Sequence, residues 1–283
     1  MKKKIIIYTF LSLIILIFAG TMVVYNSIIH IQLPHGAVLH VLPSNKNSKT
    51  QGAVIICPGG GYRYLEKWKE GYWWFPFFYK QGYTVALLEY RMPNHNWRIP
   101  MTDATEAIRT MRRKAKEWHF YADRVGIIGF SAGGHLASTM LVNDHAAARP
   151  DFGILFYPVI SMRKELTHKD SHDLLLGENA PEHLELQFSN ELHISEKTPP
   201  VYIAFSSDDT EIITQNAMLF HDKMCEKHRP VSLHVYPTGG HGWGYRLTFK
   251  YHRQMLEDLE QWIKMSNNKL NTKNKDFDKQ YNK

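Results

Sequence analysis

Asp123-Arg124-Val125-Gly126-Ile127-Ile128-Gly129-Phe130-Ser131-Ala132-Gly133-Gly134 is the stretch on which the fold of this chain turns. An apolar run of strand length leads directly into Gly-x-Ser-x-Gly, and small residues suited to a helix follow. So sharp a change from strand to helix holds the serine in a strained backbone conformation and exposes its hydroxyl. It also requires glycines two places on either side, so that the two elements can approach. The new helix then offers free N–H groups and the positive end of its dipole beside that hydroxyl. Gly-x-Ser-x-Gly alone is a weak signal. In this setting it marks Ser131 as an expected nucleophile and the Ala132 N–H as a donor to an oxyanion.

The neighbouring segments extend the same pattern. Residues 53–57 and 83–88 are unbroken apolar runs, as in strands buried on both faces, and 38–42 reads as an earlier strand. Further strands are expected at 152–157, 201–205 and 231–236, with helices at about 101–118, 133–143, 212–227 and 248–264. This alternation predicts an α/β fold: a mostly parallel, doubly wound sheet flanked by helices. A chain of 283 residues suits one such domain, expected over 30–266. Residues 160–199 break the rhythm and are expected to form a lid-like insertion. Residues 267–283, rich in asparagine and lysine, are expected to be a disordered basic tail.

Three more motifs carry chemistry. Pro58-Gly59-Gly60-Gly61-Tyr62 ends a core strand, and its backbone can pass close to a substrate. Gly60 and Gly61 are therefore expected to add an N–H to that of Ala132 in an oxyanion hole. His241 lies in Gly239-Gly240-His241-Gly242-Trp243-Gly244, after the last strand, where a base would follow a serine and an acid. The acid then belongs after the preceding strand, where Asp208 and Asp209 both stand. Its task is to orient the imidazole and stabilise the imidazolium. Tyr62, Tyr64 and Trp243 flank the glycine loop and the histidine and are expected to touch substrate, leaving room for a short acyl group.

In the combination of these motifs the chain resembles the secreted α/β-hydrolase esterases of the acetylxylan-esterase type over about 53–262. The resemblance implies the α/β-hydrolase fold, a Ser131–Asp209–His241 triad, and removal of acetyl groups from xylan or related sugars without a cofactor. Asp209-Thr210-Glu211-Ile212-Ile213 matches the family's acid motif better than the register that starts at Asp208. Many members have a histidine before the three glycines, where this chain has Pro58. A prolyl-oligopeptidase-type peptidase shares fold and triad order, but the large extra domain usual there is not expected within 283 residues. A lipase-like carboxylesterase and a silent carbohydrate-binding member would share the fold as well; intact Ser131, Asp209 and His241 argue against the silent member.

Charge and cysteine content bound the rest. The net charge of +7 sits almost wholly in Lys2, Lys3, Lys4 and the 267–283 tail, so nucleic acid is not an expected partner. The three lysines lead an apolar run to Val24, which reads as a signal peptide or signal anchor over 1–25. The catalytic domain is thus expected outside the cytoplasm, with membrane contact only through that segment. Cys57 and Cys225 are expected to be unpaired, buried thiols. His168 and His172 have helical metal-ligand spacing but no clear third ligand, so no metal is expected. His135 is expected to pack or hydrogen-bond. Most of the aromatic run 72–78 is expected to be buried, with Trp73 or Trp74 the best choices for exposure.

Overall fold

The computed structural model describes residues 27–44, 52–143 and 148–281. The leader expected over 1–25 lies outside the described residues, and no helix among them is long and apolar enough to cross a membrane. Eight strands among the described residues form one sheet in the order β1-β2-β4-β3-β5-β6-β7-β8. They are β1 Ile29–Gln32, β2 Val38–Leu42, β3 Gly52–Cys57, β4 Tyr83–Glu89, β5 Val125–Phe130, β6 Phe152–Phe156, β7 Val201–Ser206 and β8 Val231–Tyr236. From β4 to β8 every pairing is parallel; β1 and β2 join antiparallel at one edge.

Burial explains why the central strands read so clearly. Every residue of β3, β5, β6 and β7 is buried, and such strands must be apolar on both faces. The edge strand β1 is mostly exposed, and its Ile-His-Ile-Gln carries too little apolar pattern to be expected from sequence.

The helices are α1 Phe75–Lys80, α2 Arg98–Lys114, α3 Ser131–Val142, α4 Lys169–Leu176, α5 Glu182–Gln187, α6 Gln215–Glu226 and α7 His252–Tyr281. The last helix does not stop near 264, and its backbone stays helical through most of the expected disordered tail. No proline or glycine interrupts 252–281, so nothing in the chain stops the helix, and the lysines of the tail are good helix formers. In the aromatic run Trp74 is buried and Trp73 exposed. Both cysteines are free, but Cys225 is exposed near the end of α6, contrary to the expected burial.

The register brings the functional loops to one edge. Cys57 pairs with Gly129, Phe130 with Phe156, and Ser206 with Tyr236. The loops after β3, β5, β6, β7 and β8 therefore leave the same carboxyl end of the sheet, where α/β folds place their ligands. The 160–199 insertion is stitched down beside it. Asn216 Oδ1 accepts from the Ile160 and Ser161 N–H groups at 2.8 and 3.0 Å, and Asn190 Nδ2 donates to Ser138 Oγ at 2.7 Å.

Candidate active site

Ser131 opens α3 at φ +51°, the left-handed conformation expected of the elbow. Glycines make the turn possible because the backbones nearly touch. A methyl on Gly133 would lie 2.2 Å from the Cys57 carbonyl oxygen, and one on Gly129 would lie 2.3 Å from that of Gly133. The first turn of α3 is thereby pressed onto the end of β3, beside the glycine loop. A methyl on Gly59 would stand 2.9 Å from Ser131 Cβ.

The three predicted catalytic side chains meet. His241 Nε2 lies 2.9 Å from Ser131 Oγ, and His241 Nδ1 lies 2.7 Å from Asp209 Oδ2. Asp209 is buried, and its Oδ1 accepts the Glu211 and Ile212 N–H groups at 3.0 Å each. One carboxylate oxygen is thus held by backbone while the other faces the imidazole. Asp208 does something different: its oxygens accept the Gly239 and Gly240 N–H groups at 3.2 and 2.8 Å. Those donors, Gly240 first, hold its carboxyl below the usual carboxylate range. Asp208 thus anchors the loop that carries His241, while Asp209 faces the imidazole.

The glycine loop takes a conformation that only glycine adopts easily, with φ +123° at Gly60 and +63° at Gly61. Its first N–H is consumed, because Gly59 donates to Glu70 Oε2 at 2.8 Å. The Gly60 and Gly61 N–H groups donate to no atom of the described residues, and both glycines line the pocket over Ser131. Ala132 N–H, in the first turn of α3, is the remaining expected donor.

Above Ser131 and His241 opens a pocket of about 430 Å³. Its walls are largely charged: Arg63, Glu66, Lys69, Asp170, Glu211 and Arg246. Arg63 and Asp170 pair at 2.9 Å across the mouth, and Glu211 Oε1 comes to 4.0 Å from His241 Nε2. The insertion contributes His168 as well as Asp170 to this wall. Burial lowers the His168 imidazole below its usual range, and its Nδ1 contacts Ser171 Oγ at 2.9 Å. His172 turns to other partners, Asp173 at 2.8 Å and Glu185 at 3.1 Å.

Of the three aromatics expected to touch substrate, only Tyr64 lines the pocket, and it is 58% exposed. Tyr62 and Trp243 are buried and lie away from it, which corrects the reading of both. Tyr62 donates its hydroxyl toward His135 Nδ1 at 3.0 Å. Trp243 stacks on Phe249 at 4.4 Å, and its Nε1 donates to Ser206 Oγ at 3.0 Å. Both stand close to site residues in sequence, but the loop turns around them, with φ +60° at Tyr62 and +70° at Gly242, and their side chains pack into the core.

Sequence reasoning missed Glu70 and Tyr157. Glu70 is a buried carboxyl at the floor of the pocket, and Tyr157 is a buried tyrosine whose ring lies 4.8 Å from that of His241. The available signal was a lone acid, Glu70-Gly71, heading an otherwise apolar aromatic run.

Known proteins resemble this chain in sequence and in fold. The BD-FAE family profile matches residues 40–224. An acetylxylan esterase of Xylanibacter ruminicola is 38% identical over 227 residues, which take in 79% of this chain and 47% of that protein. Endo-1,4-beta-xylanase B of Butyrivibrio fibrisolvens is 32% identical over 206 residues, 67% of this chain and 32% of its own. The chain therefore spans less than half the length of each of these relatives. Among solved structures, an acetyl ester-xyloside bifunctional hydrolase from Caldicellulosiruptor lactoaceticus aligns with a TM-score of 0.74 at 33% identity, covering 81% of this chain and 88% of that one.

Proposed function

The chain belongs to the BD-FAE family and has the α/β-hydrolase fold, and from that premise we propose that it is a serine esterase removing acetyl groups from xylan or related sugars. One observation carries the chemistry: the unbroken line from Asp209 through His241 to Ser131, at 2.7 and 2.9 Å, opening into a polar pocket. Ser131 Oγ attacks the acyl carbon as its proton passes to His241 Nε2, and the imidazolium is stabilised by Asp209. The oxyanion takes N–H donors from Ala132 and from Gly60 or Gly61. Collapse expels the sugar hydroxyl, which takes its proton from His241 and leaves acetyl-Ser131. Water, deprotonated by His241, then adds to the acyl carbon, and collapse releases acetic acid as the His241 proton passes back to Ser131 Oγ.

The charged walls favour this substrate class. A long acyl chain would have to be buried against ionised side chains that it cannot satisfy, whereas sugar hydroxyls can both donate to and accept from them. Similarity to an acetylxylan esterase and to an acetyl ester-xyloside hydrolase points the same way. The lysine-led apolar segment before residue 25 would carry the domain out of the cytoplasm to polymeric substrate. Fractionation of the host tests that point; a full-length cytoplasmic protein would contradict it.

The reading is tested with p-nitrophenyl acetate, p-nitrophenyl octanoate and acetylated xylo-oligosaccharides. Acetate should exceed octanoate in kcat/KM by at least about tenfold, and the oligosaccharides should release acetic acid. Ser131→Ala should reduce turnover to background and abolish labelling by a fluorophosphonate. Preference for octanoate with no attack on acetylated sugars would instead assign a lipase-like esterase.

A further inference from the structure

Glu70 is a carboxyl buried where nothing in the triad calls for one. Each of its oxygens is engaged, and each contact leads to a different catalytic loop. Oε2 accepts the Gly59 N–H at 2.8 Å, at the start of the glycine loop. Oε1 accepts the Tyr157 hydroxyl at 3.0 Å. The Tyr157 oxygen in turn accepts the Gly244 N–H at 2.9 Å, three residues beyond His241. The main chain reinforces this bridge, since the Tyr245 N–H donates to the Lys69 carbonyl at 2.8 Å. A methyl on Gly244 would lie 2.5 Å from that same carbonyl oxygen.

Tyr157 is placed at a cost. It follows β6 at φ +36°, a strained conformation that a bulky residue rarely adopts. The strained backbone sends its hydroxyl between Glu70 and Gly244 and packs its ring edge-on against His241. Burial pushes the Glu70 carboxyl up, against the pull of Lys69, the Gly59 N–H and the Tyr157 hydroxyl. A buried acid with such a desolvation cost is poor material for stability alone.

We propose that Glu70 is a positioning residue that locks the glycine loop and the His241 loop into one unit. By taking the Gly59 N–H it sets the peptides that follow, so that the Gly60 and Gly61 N–H groups remain free for the acyl oxygen. By holding Gly244 through Tyr157 it fixes the far end of the loop from which His241 reaches Ser131. Oxyanion donors and base are thereby registered to each other independently of the triad's own hydrogen bonds. The inference rests on the serine-esterase reading above.

The test uses the full chain and p-nitrophenyl acetate, with phenylboronic acid as a tetrahedral adduct former at Ser131. Glu70→Gln keeps the shape but offers an N–H where Tyr157 now finds an acceptor. It should lower kcat on the order of 10²-fold, with KM changed less than about threefold. The inhibition constant of phenylboronic acid should rise in parallel, a response that a purely structural role would not produce. Tyr157→Phe, which removes only the bridging hydroxyl, should lower kcat about tenfold. The double variant should be no worse than Glu70→Gln, because both changes break one chain of contacts. Wild-type-like kcat and boronate inhibition in Glu70→Gln would overturn the proposal. Should Glu70→Gln fail to fold, Tyr157→Phe decides, and an unchanged kcat there overturns it as well. Absence of ester turnover in the wild type, or turnover that survives Ser131→Ala, would instead sink the serine-esterase reading with Ser131 as nucleophile, a separate and visible failure.

Discussion

Asp208 and Asp209 are adjacent in sequence and divide the support of one histidine between them. Asp209 faces the imidazole itself, and its second oxygen is pinned by two backbone N–H groups. Asp209→Asn should lower kcat by about 10³–10⁴-fold, since an amide cannot stabilise the imidazolium and favours the wrong tautomer. Asp208 grips the loop at Gly239 and Gly240, so Asp208→Ala should cost about tenfold in kcat through misplacement of His241, with KM little changed. Steady-state kinetics on p-nitrophenyl acetate would rank them, and the reverse order would move the acid to Asp208. The aromatics divide in the same way. Tyr64→Ala should alter kcat/KM on acetylated sugars and leave unfolding unchanged. Trp243→Ala should chiefly destabilise the protein, by about 3–5 kcal/mol, because its ring is buried against Phe249.

At the scale of elements, the site exists because α3 is forced against the end of β3. Gly133 has no room for a side chain, with the Cys57 and Pro58 carbonyl oxygens 2.2 and 2.3 Å from where its Cβ would be. Both obstacles are backbone and cannot rotate away. Gly133→Ala should therefore cost at least about 3 kcal/mol in urea unfolding, or prevent folding altogether. Gly61 is a useful contrast. A methyl there meets nothing nearer than 3.7 Å, so Gly61→Ala faces only the left-handed φ of +63°, worth about 1–2 kcal/mol. Similar destabilisation by the two substitutions would mean that the elbow is not closed as described.

Across the whole molecule, His135 links the elbow helix, the glycine loop and the insertion. It is fully buried, accepts from the Tyr62 hydroxyl at Nδ1, and donates from Nε2 to the Phe188 carbonyl at 2.8 Å. That pattern suits a neutral imidazole, and burial lowers its pKa to about 4. Because the folded value is depressed, the unfolded chain binds the extra proton first as pH falls below about 6.5. Stability is therefore full above that pH and declines as pH approaches 4, by up to about 3 kcal/mol from this group. Urea titrations between pH 7 and 4 should show the loss. His135→Gln, though weaker at neutral pH, should lose less on acidification; an equal loss would place the acid sensitivity elsewhere.

Much of this molecule is legible in its chain alone. Buried parallel strands must be apolar throughout, so β3, β5, β6 and β7 announce themselves, as do the elbow at Ser131 and the loop order that sets His241 after the aspartates. The local pattern fails where burial is partial or where nothing stops an element. It misses the exposed edge strand at Ile29–Gln32 and the continuation of α7 to Tyr281. Glu70 joining Gly59 to Gly244, Tyr62 and Trp243 turned inward, and Asp208 bound to the His241 loop all belong to tertiary structure alone. Sequence periodicity reports which way a residue faces relative to its own element. Partners brought from 11 to 87 positions away, as Gly59 and Tyr157 are brought to Glu70, depend on how the elements stack, and only the packed sheet decides that.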